Sequence, residues 1–251
     1  MDISRFPLVP GSSPILVTHN EGVWFHTSDG RQILDAGGGA IVTNIGHGRQ
    51  EIARVAAEAL GQLDYVVPIF ATEARVALVE EVSDHWLPDA SWRCVFVSGG
   101  SESVDAAIRV AQLHHVACGR TKRHKVIGRD VSYHGATMGA LAVGSHDRRR
   151  KGLEQLLPSM PKTSHYDPDQ LEKVIELEGA ETISAFIGEP VIGAAAGAYV
   201  PPDDYWTRIS EICAKHDILV IADEVMTGFG RLGTKMGHEA LGFTPDIIAA
   251  G

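Results

Sequence analysis

The stretch LVIADEVMTGFGRLGT, Leu219 to Thr234, joins an apolar, β-branched run to two adjacent carboxylates and then to a glycine-rich loop. A short apolar run bounded by turn signals reads as a strand buried on both faces. Such a strand does not end in Asp223-Glu224 without reason, because burying a carboxylate demands a partner. The tip of this strand therefore faces something that needs negative charge.

Working outward, the same pattern repeats. RCVFVS (93–98), HKVIGR (124–129), TISAFIGEP (182–190), DILVIADE (217–224) and DIIAAG (246–251) predict strands. Helices are predicted between them: one with Val104, Ala107, Ile108 and Ala111 on a face, one opened by Asp167-Pro168 and striped by Leu171, Val174 and Ile175, and one near 203–216 carrying Tyr205, Ile209 and Ile212. This alternation predicts an α/β fold, a mostly parallel sheet covered by helices on both faces. Upstream, GVWFHTSDGRQILDAGG predicts a hairpin turning at Ser28-Asp29-Gly30. Ile52, Val55, Ala56, Ala59, Leu60 and Leu63 then fall at helical spacing, and Thr72 caps a second helix that ends near Trp86-Leu87-Pro88.

Composition narrows the partners. The chain has 251 residues, 44% of them hydrophobic, and 22 basic against 32 acidic side chains give a net charge of −10. That balance argues against nucleic acid or an anionic membrane as the main partner. No apolar run approaches a membrane span, and MDISRFPLVPGSSP lacks the pattern of a secretory signal. Cys94, Cys118 and Cys213 are odd in number and widely spaced, which suits reduced thiols and a cytoplasmic location. The cluster His114, His115, Cys118 and His124 lacks a second CxxC or an HExxH, so no metal site is expected there.

Parallel sheets bind ligands beyond the carboxyl ends of their strands. Four predicted strand ends carry matching chemistry. Ser98-Gly99-Gly100-Ser101 leads into a helix and offers backbone N–H groups and a hydroxyl to a phosphate. Ser132-Tyr133-His134-Gly135 places an aromatic ring beside a glycine, where it could stack on a planar ligand. Glu189-Pro190 puts a carboxylate at a third end, and Asp223-Glu224-Val225 at the fourth, where an acid could hold a ring nitrogen protonated. Together these describe a pocket for a planar, phosphorylated, nitrogen-containing ring, and pyridoxal 5'-phosphate (PLP) fits it. Gly100 and Ser101 would hold its phosphate, Tyr133 and Val225 its two faces, and Asp223 its pyridine nitrogen.

The segments FVSGGSESVDAAIRVAQ, SYHGATMGALAVGS, FIGEPVIGAAAGAYVPPDDYW, LVIADEVMTGFGRLGT and PDIIAAG, in that order, resemble the consecutive motifs of class III PLP-dependent aminotransferases of fold type I, a group that includes ω-amino acid and amine aminotransferases. DAGGGAIVTNIGHGRQEI resembles the family's N-terminal segment, so the likeness covers nearly the whole chain. The resemblance implies residues 1–45 as part of a smaller α+β domain and 46–251 as a partial PLP-binding large domain. It implies Asp223 and Glu189 as candidate catalytic residues, with Glu189 beside cofactor and substrate and His134 helping to position the ring. It also implies a homodimer, transfer of an amino group from an amine or ω-amino acid, and a keto acid acceptor such as pyruvate or 2-oxoglutarate. Ala40-Ile41 stand where many relatives carry a bulkier Leu-Trp pair, which implies a roomier substrate pocket.

The pattern breaks at one place. The family's cofactor-binding lysine stands directly after PDIIAAG, and Gly251 is the last residue here. Three arrangements fit: half of a split enzyme completed by a second chain, a sequence that breaks off at a lysine modified by its cofactor, or a non-catalytic fragment. The second is the expectation, because the break falls at the residue most prone to modification. From another reaction class, Ser101, Asp223 and His238 have the chain order of an α/β-hydrolase triad, but the nucleophile elbow needs a glycine where Ser103 stands.

Overall fold

The computed structural model describes residues 14–67, 69–89 and 91–251. The segment read above as lacking a secretory signal lies outside them up to residue 13. The chain forms two compact units, one up to Glu73 and one from Ala74 onward.

In the first unit, β1 (Val17–Glu21), β2 (Trp24–Thr27) and β3 (Gln32–Leu34) form an antiparallel sheet in that order. The expected β2–β3 hairpin forms, closed by Thr27 N–H donating to Arg31 O at 3.0 Å. The turn segment α1 (Gly38–Ile41) follows, with Ala40 and Ile41 at φ of 63° and 71°, in the left-handed region that β-branched residues rarely enter. Helix α2 (Gln50–Gln62) forms where the period changed, but Ile52, Val55 and Leu60 on its stripe remain exposed.

The second unit opens with α3 (Glu73–His85), whose first residue belongs to the preceding unit, and continues with α4 (Gly100–Ala117), β4 (Lys125–Arg129), α5 (Met138–Val143), α6 (Asp147–Arg150), β5 (Lys162–Thr163) and α7 (Gln170–Glu178). It ends with β6 (Ile183–Gly188), α8 (Tyr205–Lys215), β7 (Leu219–Asp223), α9 (Gly237–Ala240) and β8 (Ile247–Ala249). The sheet order is β5-β4-β6-β7-β8, and every pairing in it is parallel.

Alternation along the strands splits the core into two layers. Ile127, Phe186, Val220 and Ala222 pack with Leu171 and Ile175 of α7 and Tyr205, Trp206 and Ile209 of α8. Val126, Ala185, Ile187, Ile221 and Ala249 pack with Val104, Ala107 and Ala111 of α4 and Ala140 and Val143 of α5. All six residues of β6 are buried, as a central parallel strand covered on both faces requires.

One predicted strand does not form. Residues 92–97 are irregular, and Val95, Phe96 and Val97 are exposed. A β-branched run suits a pleated surface, but it becomes a strand only when a neighbour supplies a ladder, and among the described residues none pairs with it.

Candidate active site

Asp223 is the last residue of β7 and pairs with Ala249 of β8. Its side chain is 4% exposed and that of His134 0%. His134 Nδ1 lies 2.6 Å from Asp223 Oδ2, and Val225 N–H donates to Asp223 Oδ1 at 3.1 Å. With a donor on each oxygen, the carboxylate is held in one orientation. His134 Nε2 is buried and finds no partner among the described residues. The loop after β4 presents this histidine because Ser132 folds back, its hydroxyl donating to Arg129 O at 2.9 Å while Ser145 N–H donates to Ser132 O at 3.1 Å.

Glu189 follows β6 and is buried. Tyr133 N–H donates to its Oε2 and Gly193 N–H to its Oε1, each at 3.1 Å, so the carboxylate ties the loop after β4 to the turn after β6. Burial pushes the Glu189 carboxyl above its ordinary range; His134 opposes this, Asp223 adds to it and Arg129 opposes it. The Tyr133 ring is half-buried and meets His146 edge-on at 5.8 Å.

The start of α4 closes against the same tips. A Cβ on Gly100 would lie 2.8 Å from Val225 Cγ1, so a larger residue has no room there. Gly251, beyond β8, approaches Gly100 as well, its Cβ direction ending 3.5 Å from Gly100 Cα. Ser101 Oγ accepts from Ala136 N–H at 3.0 Å, and the Thr137 hydroxyl donates to Ser101 O at 3.2 Å. Gly135 has φ of 132°, and a Cβ on it would sit 2.4 Å from Ser101 Oγ. Gly100, Ser101, Tyr133, His134, Glu189, Asp223 and Val225 are thus joined by direct contacts at the carboxyl ends of β4, β6 and β7.

Two residues of this region escaped the sequence reading. Glu224 turns away from Asp223, fully buried, and accepts from the Thr227 hydroxyl (2.5 Å), Gly237 N–H (2.8 Å), His238 N–H (2.7 Å) and His238 Nδ1 (2.9 Å). Burial alone would raise its carboxyl, but the bonds from His238 and Thr227 and from the backbone of residues 238 and 237 outweigh it, and the group is lowered. The signal was present: neighbouring strand residues point to opposite faces, so Asp223 and Glu224 cannot serve one pocket. Arg129, fully buried, donates through Nη2 to Glu189 O at 2.5 Å and lies 5.5 Å from the Trp206 ring and 5.9 Å from that of Tyr205. Its cue was a lone arginine closing the apolar run KVIGR.

The hydrolase triad is overturned. Asp223 is paired with His134 and His238 with Glu224, so Ser101, His238 and Asp223 form no relay. His115 is a core residue, with Nε2 2.8 Å from Ser184 O, and burial lowers its pKa. Among the described residues no cluster of three or more His, Cys, Asp or Glu could hold a metal ion, and no described helix is long and apolar enough to cross a membrane.

The fold and site define an α/β protein whose buried acids and close-packed glycines gather where the tips of a parallel sheet meet a helix N-terminus. The model of the family described as aminotransferase class-III matches residues 9–251, and the chain belongs to that family. It is 34% identical to an omega-aminotransferase of Caulobacter vibrioides over 94% of this chain and 57% of that protein. It is equally 34% identical to a putrescine–pyruvate aminotransferase of Pseudomonas aeruginosa, over 93% of this chain and 55% of that one. Among solved structures, the omega transaminase from Pseudomonas jessenii in complex with PMP superposes with a TM-score of 0.90 at 28% identity, covering 98% of this chain and 60% of that one. The chain therefore spans little more than half the length of these relatives.

Proposed function

We propose that the cleft between Gly100, Ser101, Tyr133, His134, Asp223 and Val225 binds PLP, and that the protein transfers an amino group from an amine or ω-amino acid to a keto acid. The observation that carries the reading is the buried Asp223, oriented by His134 at the tip of β7, with Val225 two residues on packed against Gly100 at the N-terminus of α4. The residues fit the cofactor chemically. An 18-residue helix begins at Gly100 with a serine hydroxyl beside it, which suits a phosphate. A buried carboxyl group with both oxygens fixed suits a protonated pyridine nitrogen. When bound, the cofactor supplies an electron sink for breaking a C–H bond next to the amine.

The chain's own residues set the conditions for that step. Asp223, held in place by His134, would keep the ring nitrogen of a bound cofactor protonated. Val225 and Tyr133 would border its two faces. Glu189 joins the loops on either side of the pocket. A lysine standing directly after Gly251 would emerge beside Gly100 and Val225, within reach of the cleft; whether from this chain or a second one, it would be the proton-moving group. Residues 1–45 are retained as part of a smaller domain and 46–251 as part of the PLP-binding domain, in a protein that works as a cytoplasmic homodimer. The relative named putrescine–pyruvate aminotransferase supports an amine donor, with pyruvate as the acceptor.

Titration of the purified protein with PLP, followed by absorbance, tests the reading. Saturable binding that is weakened by Tyr133→Ala supports it. No saturable PLP binding by equilibrium dialysis, with no spectral change in the protein carrying the lysine, would refute it.

A further inference from the structure

Glu224 sits in an environment made only of donors. Its four partners are an O–H, two backbone N–H groups and an imidazole nitrogen, and they match the roughly four lone-pair sites of a carboxylate. The donors come from both ends of one loop: Thr227 three residues on, and Gly237 and His238 at the start of α9. A Cβ on Gly237 would lie 2.8 Å from Glu224 Oε2 and 2.7 Å from Thr227 Cβ, so the returning backbone rests directly on the carboxylate. Between these ends the loop is closed by Gly228 N–H donating to Glu224 O at 2.9 Å and Gly230 N–H donating to Lys235 O at 3.0 Å. The backbone of Glu224 also extends the sheet, its N–H donating to Ala249 O at 2.7 Å. Val225 is the first residue of this loop and the one that presses on Gly100.

We propose that Glu224 is a positioning residue of the cofactor cleft: by tying both ends of the 225–238 loop to the tip of β7, it fixes Val225 against the start of α4 and so sets the width of the cleft. The inference rests on the reading of that cleft as a PLP site, which Glu224 itself does not line. The carboxylate that ends β7 and the one that follows it then divide the work, Asp223 facing the ligand and Glu224 holding the wall beside it.

The donor count makes the proposal sharp. Glutamine has the same size, but only one oxygen, and its NH₂ would face N–H groups. Glu224→Gln should therefore fail to substitute, whereas a merely space-filling role would tolerate it. Two measurements are paired: PLP titration by absorbance, and backbone hydrogen exchange without cofactor. In Glu224→Gln, exchange across 225–238 should accelerate while β6 stays protected, and PLP affinity should fall by at least about tenfold, the scale of one or two lost charge-assisted bonds. His238→Phe, which removes one donor and keeps the bulk, should show the same pattern more weakly and serves if Glu224→Gln does not fold.

Wild-type exchange in 225–238 and wild-type PLP affinity in a folded variant would overturn the inference. If the unaltered protein binds no PLP, the cofactor reading fails on its own; faster loop exchange in Glu224→Gln would still support the positioning role, and unchanged exchange would refute it.

Discussion

His134 and Asp223 lie 89 residues apart in the chain and 2.6 Å apart in the fold, both shielded from water. This contact, with Val225 N–H on the other oxygen, fixes the direction of the acid at the end of β7. Asp223→Asn should therefore leave PLP bound while slowing proton abstraction on the order of a hundredfold, the scale of losing one preorganised electrostatic partner. Single-turnover kinetics with the complete protein measure this, and unchanged turnover would refute the role of Asp223.

The histidine itself should matter through the acid. His134→Ala removes a donor from a buried carboxylate and should cost about 1–3 kcal/mol of stability, as an unsatisfied buried group does. Urea melts give the stability, and PLP titration should show weaker binding as Asp223 loses its fixed direction. A variant as stable as the parent would mean that Asp223 finds another partner.

Much of this arrangement was legible in the sequence because it follows from short-range rules. Strand runs with glycine or acidic tips place β4, β6, β7 and β8, and the Gly-Ser before a helical stripe marks the start of α4. What was not legible depends on distant partners. RCVFVS has the composition of a strand, but pairing decides whether it becomes one, and Val95 is 68% exposed. The stripe of α2 was read from periodicity, which says which face is apolar and not whether anything covers it. Glu224 and Arg129 escaped because most of their partners are backbone groups and rings brought together only by folding. For Glu224, the alternation of a strand was a usable clue.

Close packing at the start of α4 gives a test by compensation. Gly100→Ala places a methyl 2.8 Å from Val225 Cγ1, closer than real contacts allow. PLP affinity should fall by about tenfold or more, since an overpacked contact costs on the order of 1–3 kcal/mol. Adding Val225→Ala removes the opposing methyl groups, so the double variant should recover part of the affinity. Additive losses would show that Gly100 and Val225 do not share the cleft.

Lys162 offers a pH test away from the cleft. Its Nζ donates to Ala142 O at 2.7 Å and Val143 O at 2.5 Å, at the end of α5. Burial, reinforced by Arg150, lowers its pKa from 10.5 to about 7. Between those two values the unfolded chain holds the proton and the folded chain does not, so stability rises with pH across that window. The penalty of keeping Lys162 charged in the folded state is fully present below pH 7. One proton sets the slope at no more than about 1.4 kcal/mol per pH unit. Lys162→Met should flatten that rise in urea melts at pH 7, 8 and 9. Parallel curves for parent and variant would mean that Lys162 keeps its proton when folded, and that the carbonyls of α5 stabilise the charge more than burial penalises it.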